Sequence, residues 1–161
     1  MADMKALYQE VIMDHNKKPR NYGKLSPCTH HAEGHNPLCG DHISLTMNLS
    51  GNTADDKVES IGFEGEACAI CKSSTSLMTV AVKGKTRGEA EEIAREFLDM
   101  TTGKLDLNAP NKLARLTVFA GVRDLPTRVK CAILPWHTLR AAFNSVEEVS
   151  TEADGDPMHT T

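Results

Sequence analysis

Three cysteines and one aspartate are the residues best equipped for chemistry: Cys39-Gly40-Asp41, then Cys68, then Cys131. Three sulfurs and one carboxylate oxygen make a tetrahedral donor set suited to zinc, or to an iron–sulfur cluster held at a rim. Cys39 and Asp41 lie two apart at the expected start of a strand, where residues i and i+2 share a face. Gly40 leaves space between them and permits an unusual backbone angle. The competing reading makes Asn36-Pro37-Leu38-Cys39-Gly40 a turn with a buried thiol that Asp41 merely caps.

Cys68 stands between a strand end and a helix start, where the helix N-terminus favours a thiolate. Cys68-Ala69-Ile70-Cys71 is also a CxxC opening a helix, as in dithiol oxidoreductases, but the chain lacks the βαβ alternation of those folds. Cys71 is either a core-facing residue or a spare ligand. Cys131 follows Arg128 and Lys130, two cations that favour its thiolate, and precedes Pro135 by four residues. Pro135 cannot donate to the Cys131 carbonyl, so the helix is expected to kink beside Cys131 or to begin at Pro135. Cys28, in a Pro-rich loop, belongs to no set. Of the seven histidines, His30, His31, His35 and His159 read as solvated, His42 as facing away from Cys39, and His137 as a helix-surface residue.

The elements that must position these residues follow from periodicity. Met4, Leu7, Tyr8, Val11 and Ile12 form one helical stripe opened by Asp3 and stopped before Pro19. Residues 19–41 read as loop with a short strand around Thr29–Glu33. Ile43, Leu45, Met47 and Leu49 alternate as a half-buried strand, and Val58, Ile61 and Phe63 mark a second strand antiparallel to it. Helical spacing follows from Ile70 to Val82, then from the capping box Thr86-Arg87-Gly88-Glu89 to Leu98. A short helix precedes Gly121, and a last helix runs from Val129 to Phe143 with Trp136, Leu139 and Ala142 on one side. The fold expected is α+β: a small antiparallel sheet of about three strands with helices packed on it. Residues 1–146 form one domain, and residues 147–161, with five acids and no Lys or Arg, are expected to be a disordered tail.

Composition narrows the classes. At 161 residues the chain can bury a real core, but with 4 % aromatics that core must rest on aliphatic side chains. A net charge of −4 with no basic run argues against nucleic acid as a main partner. No apolar stretch approaches the roughly 20 residues that cross a membrane, and no secretory h-region opens the chain. A cytoplasmic location is expected, where five cysteines read as metal-binding or reactive thiols before disulfides.

Asn36-Pro37-Leu38-Cys39-Gly40-Asp41, the block Phe63 to Ile70, and Val129-Lys130-Cys131-Ala132 resemble the three signature blocks of the iron–sulfur cluster assembly family that includes IscU and NifU. The opening Leu7 to Ile12, His15-Asn16 and Pro19-Arg20-Asn21 are similar too, so the likeness spans about residues 5 to 145. The chain is most similar to the SufU branch: Lys130 stands where IscU members carry a histidine, and the segment between Cys68 and Cys131 is long. Leu125 to Lys130 departs from the complete Leu-Pro-Pro-Val-Lys motif through which IscU members meet a chaperone, and Cys71 departs from the pattern after Cys68. The resemblance implies that Cys39, Asp41, Cys68 and Cys131 bind one metal, zinc in the SufU branch or alternatively iron as a [2Fe–2S] cluster. It further implies that Cys39 accepts persulfide sulfur from a cysteine desulfurase of SufS type, with downstream Suf cluster-assembly proteins as further partners. Three functions stay open here: a zinc-dependent sulfurtransferase, a scaffold for a labile cluster, and a structural zinc module that only binds partners.

Overall fold

The computed structural model describes residues 4–151, with side chains from Gln9 onward. The expected cap Asp3, and the side chains of Met4, Leu7 and Tyr8, lie outside the described residues. The chain order is α1 (Met4–Lys17), β1 (His30–Asn36), β2 (Asp41–Leu49), β3 (Val58–Glu66), α2 (Ala69–Val82), α3 (Arg87–Thr101), a 3-10 helix (Ala114–Asp124), α4 (Pro126–Phe143) and β4 (Glu148–Ser150).

Alternating burial along β2 sends Asp41, Ile43, Leu45, Met47 and Leu49 to the inner face. β2 pairs antiparallel with β3 on one side and with β1 on the other, and β4 joins the free edge of β1 in parallel, giving the order β3-β2-β1-β4. The sheet is therefore mixed and four-stranded, not a three-stranded antiparallel one. Glu148–Ser150, expected to open a disordered tail, are paired with Glu33–His35. A three-residue strand with an acid at its start gives almost no periodic signal, and its pairing is supplied by the open edge of β1. Residues 152–161 lie outside the described residues.

The helices cover the inner face of the sheet, and α4 lies at the centre of the molecule. From Cys131 to Leu139 every one of its residues is buried. Trp136 stacks on Phe97 with ring centroids 4.8 Å apart, and Phe119 meets Phe97 edge-on at 5.7 Å. So few aromatics suffice because three of them share one cluster. His137, expected on the helix surface, is 6 % exposed for the same reason: a helix buried on all sides has no solvent face there. His30, expected to be solvated, is likewise buried, its Nδ1 2.9 Å from the Thr29 hydroxyl.

α4 begins three residues earlier than its apolar pattern suggests, with Pro126 in the first turn where a missing N–H costs nothing. It continues through Pro135, so Cys131 sits within the helix and not at a broken end. The 3-10 helix similarly passes through Gly121.

Close approach of α4 to the sheet depends on Gly34 of β1. A Cβ there would overlap Thr138 Oγ1 and press on Leu134 and Ile43. Gly34→Ala should destabilise the protein by roughly 1–3 kcal/mol in urea unfolding. Adding Thr138→Ala in the same chain should recover part of the loss. An unchanged midpoint in Gly34→Ala would show that α4 packs less tightly than described.

Candidate metal centre

The β1–β2 hairpin builds half of the site. Asn36 and Asp41 form its last paired rung, and Pro37-Leu38-Cys39-Gly40 is the four-residue tip. The Cys39 N–H donates to the Asn36 carbonyl at 3.2 Å, and Gly40 takes φ +70°, the left-handed region that a side chain would strain. Cys39 is thus in a turn, and its convergence with Asp41 comes from chain reversal, not from the two-residue repeat of a strand. The tip leaves its thiol exposed. Neither the strand reading nor the buried-turn reading described it fully.

Asp41 occupies the first inward position of β2 and is 3 % exposed. A buried carboxylate is costly unless it is hydrogen-bonded, and this one is held from two sides. The Cys68 N–H donates to Oδ1 at 2.8 Å, and Asn36 Nδ2 donates to Oδ2 at 3.2 Å. The Cys68 sulfur lies 3.9 Å from the same Oδ2.

Cys68 is the N-cap of α2, as its position between strand and helix predicts, and its sulfur accepts the Cys71 N–H at 3.5 Å. The Cys131 thiol donating to that sulfur, aided by the Cys71 N–H and opposed by burial, brings the Cys68 pKa down to about 7. The same hydrogen bond, together with burial, pushes Cys131 upward, so the pair keeps one proton on Cys131 and leaves Cys68 as the readier thiolate. Cys131 also sits 3.4 Å from the Cys39 sulfur. Arg128, one turn before Cys131, faces the thiols, and its own pKa is raised by the charge of Cys68. The sequence expectation that a cation stands here holds for Arg128.

The structure brings three of the four expected residues into one group and sets the fourth, Cys68, at its edge. Cys39, Asp41 and Cys131 offer ligand atoms within 4.8 Å of one another, with Cys68 beside Asp41. Among the described residues no other group of His, Cys, Asp and Glu does so. Tetrahedral zinc with sulfur ligands at about 2.3 Å places sulfurs about 3.8 Å apart, close to the Cys39–Cys131 separation of 3.4 Å. The donor set, three thiols and one carboxylate, fits zinc or an iron–sulfur cluster in both number and type.

Other residues fall outside. Cys71 is fully buried beside Ile43, Cys131 and Leu134, and burial raises its pKa well above the ordinary thiol value. That suits a core residue and not a redox dithiol. Cys28 lies at the opposite end of β1 from Asn36. His42 is exposed, 2.8 Å from Glu33, and stacks on His35, away from the thiols as strand alternation predicts.

Asn36 is the residue that ligand-type reasoning misses. It is fully buried, and its Nδ2 reaches both Asp41 and the Cys131 sulfur, the latter at 3.5 Å. Its Oδ1 accepts from the Thr151 hydroxyl at 3.0 Å, and the Thr151 N–H donates to the His35 carbonyl. An amide at the last rung of a hairpin was the available signal. Nothing in the sequence around Thr151 marks it.

The NifU-like N-terminal domain family matches residues 7–132. The chain is 43 % identical over 138 residues to the zinc-dependent sulfurtransferase SufU of Bacillus subtilis, covering 86 % of this chain and 90 % of that protein. It is 37 % identical over 143 residues to the iron–sulfur cluster assembly scaffold protein IscU of Streptococcus pyogenes, covering 89 % and 86 %. Among solved structures, a candidate iron–sulfur cluster assembly scaffold of the SUF system from Fervidobacterium islandicum superposes with a TM-score of 0.77 at 37 % identity, covering 86 % of this chain and 97 % of that one.

Thr151→Val leaves the buried Asn36 Oδ1 without its donor and should cost about 1–3 kcal/mol in urea unfolding, whereas Thr151→Ser should restore stability. In metal-free protein, alkylation of Cys68 should rise through a midpoint near pH 7 as the thiolate forms, while Cys71 stays unreactive across the same range; peptide mass spectrometry resolves the two.

Proposed function

The chain belongs to the NifU-like N-terminal domain family, and from that membership and the site's geometry we propose that it serves iron–sulfur cluster assembly as a sulfur acceptor. In this reading Cys39 receives sulfur from a cysteine desulfurase of SufS type. The observation that carries it is the contrast in exposure within one cluster: Cys39 is exposed at a hairpin tip, while Cys131 and Asp41 are buried and braced by Asn36. One sulfur can meet a partner while the others stay fixed. The 43 % identity to a protein named as a zinc-dependent sulfurtransferase supports the same choice.

Cys39, Asp41, Cys68 and Cys131 would hold zinc, which supplies no redox chemistry and keeps bound thiols deprotonated. The chain's own residues do the rest. Arg128 places positive charge beside the thiols and favours a thiolate. The Cys39 thiolate attacks the outer sulfur of the desulfurase persulfide. A new sulfur–sulfur bond forms on Cys39, the old one breaks, and the donor cysteine leaves as a thiolate, with no net oxidation. Gly40 supplies the left-handed residue that turns the hairpin tip on which the exposed Cys39 thiol sits.

A second reading is favoured by Asp41 and by the 37 % identity to a protein named as a scaffold: the same four residues carry a [2Fe–2S] cluster as cargo, and the oxygen ligand makes it easy to pass on.

Cys39→Ala should abolish stimulation of a SufS-type desulfurase while leaving the fold intact by circular dichroism. Undiminished stimulation contradicts the acceptor role. Asp41→Ala separates the readings: a longer-lived cluster after anaerobic reconstitution, seen by absorbance and iron analysis, favours the scaffold, and absence of any cluster favours sulfur transfer.

A further inference from the structure

The Asn36 amide points its nitrogen at two residues of the candidate metal centre and supplies no ligand itself. Nδ2 lies 3.2 Å from Asp41 Oδ2 and 3.5 Å from the Cys131 sulfur, so both N–H groups go to ligand atoms. An asparagine that only shapes a turn bonds to nearby backbone. Cys131 becomes a thiolate when it binds a metal, and a hydrogen bond to a charged acceptor is roughly twice as strong as one to a neutral acceptor. Three thiolates and a carboxylate outweigh the charge of a zinc ion, so the loaded site is a partly buried anion that needs such donors.

Thr151 fixes the direction of that amide. Its hydroxyl donates to Asn36 Oδ1 at 3.0 Å, which turns the oxygen away from the site and the nitrogen towards it. Reversed, the amide would set its oxygen against the Asp41 carboxylate and the Cys131 sulfur, acceptor against acceptor. Thr151 is 7 % exposed and is itself tied to β1, its N–H donating to the His35 carbonyl at 3.0 Å. It follows directly on β4, whose three residues pair with Glu33, Gly34 and His35. Buried side-chain contacts thus lead from the end of β4 through Asn36 to Asp41 and Cys131.

We propose that Asn36 is a positioning residue of the metal centre and that Thr151, by fixing its direction, makes retention of the metal depend on β4 being docked against β1. This rests on the four-residue metal site of the reading above, and not on whether that site serves sulfur transfer or carries a cluster. Asp41 and Cys131 are the pair that the amide holds, and the exposed Cys39 thiol is bonded by neither of its N–H groups. Loss of the amide, or of the hydroxyl that aims it, loosens the fixed half of the site. Hydrogen-bonding partners of metal ligands contribute about 10–100-fold to metal affinity.

The test uses the full chain loaded with one equivalent of zinc and follows transfer of the metal to an excess of a chromogenic chelator. Thr151→Val keeps the side-chain shape and removes the donor, Thr151→Ser keeps the donor, and Asn36→Ala removes the amide. Thr86→Ala controls for lowered stability alone: it removes the N-cap of α3, which lies beside Lys57, at the far end of β3 from Cys68. Thr151→Val and Asn36→Ala should lose zinc at least about tenfold faster than wild type, with Thr151→Ser and Thr86→Ala unchanged. In cobalt-loaded protein the sulfur-to-metal charge-transfer band of Asn36→Ala should move to longer wavelength, because a thiolate without its N–H donor gives up an electron more readily. Should Asn36→Ala fail to fold, the Thr151→Val and Thr151→Ser pair decides. A wild-type rate in Thr151→Val, no rescue by Thr151→Ser, an unmoved cobalt band, or equal acceleration in Thr86→Ala would each overturn the proposal and leave the metal site standing. A wild-type chain that takes up no zinc would overturn both.

Discussion

The side-chain amide of Asn36 joins three segments distant in sequence. Through Nδ2 it holds the Asp41 carboxylate of β2 and the Cys131 sulfur of α4, and through Oδ1 it accepts from Thr151 beyond β4. All of this takes place out of water, where an unmet hydrogen bond costs about 1–3 kcal/mol and a met one is correspondingly specific. The hairpin could close without Asn36, and α4 could bury its apolar surface without it. The register between them, which brings the Cys131 and Cys39 sulfurs to 3.4 Å, is what the amide constrains.

Around that constraint the site is graded from rigid to free. Asp41 and Cys131 sit on regular secondary structure, buried and hydrogen-bonded. Cys68 caps α2, half-covered, where N–H and S–H donors stabilise its thiolate. Cys39 stands at an exposed tip next to a left-handed glycine. Acceptance of sulfur from another protein calls for such a gradient, because a fully buried thiol cannot reach a partner and a fully loose set cannot hold a metal.

What could be read from the sequence divides along physical lines. β2, β3, α2 and α3 are amphipathic or alternating, so their burial leaves a period that residue order displays. From Cys131 to Leu139 α4 is buried on every side, which erases the period that would mark His137 as a core residue; Pro135 reads as a break from its missing N–H alone, yet the helix runs through it. β4 is too short for periodicity and acquires its structure from the edge it meets. The ligand residues could be picked out because thiols and carboxylates are chemically distinctive and the three blocks around them resemble a known family. Asn36 and Thr151 could not be singled out by type, since asparagine and threonine are ordinary in turns and tails.

Central to the account is one ion held jointly by Cys39, Asp41, Cys68 and Cys131. X-ray absorption at the zinc edge, on protein carrying one equivalent of metal, reads that shell directly. Three sulfurs at about 2.3 Å and one oxygen at about 2.0 Å, without imidazole scattering, are predicted. A shell with fewer than three sulfurs, or one containing histidine nitrogen, would contradict it.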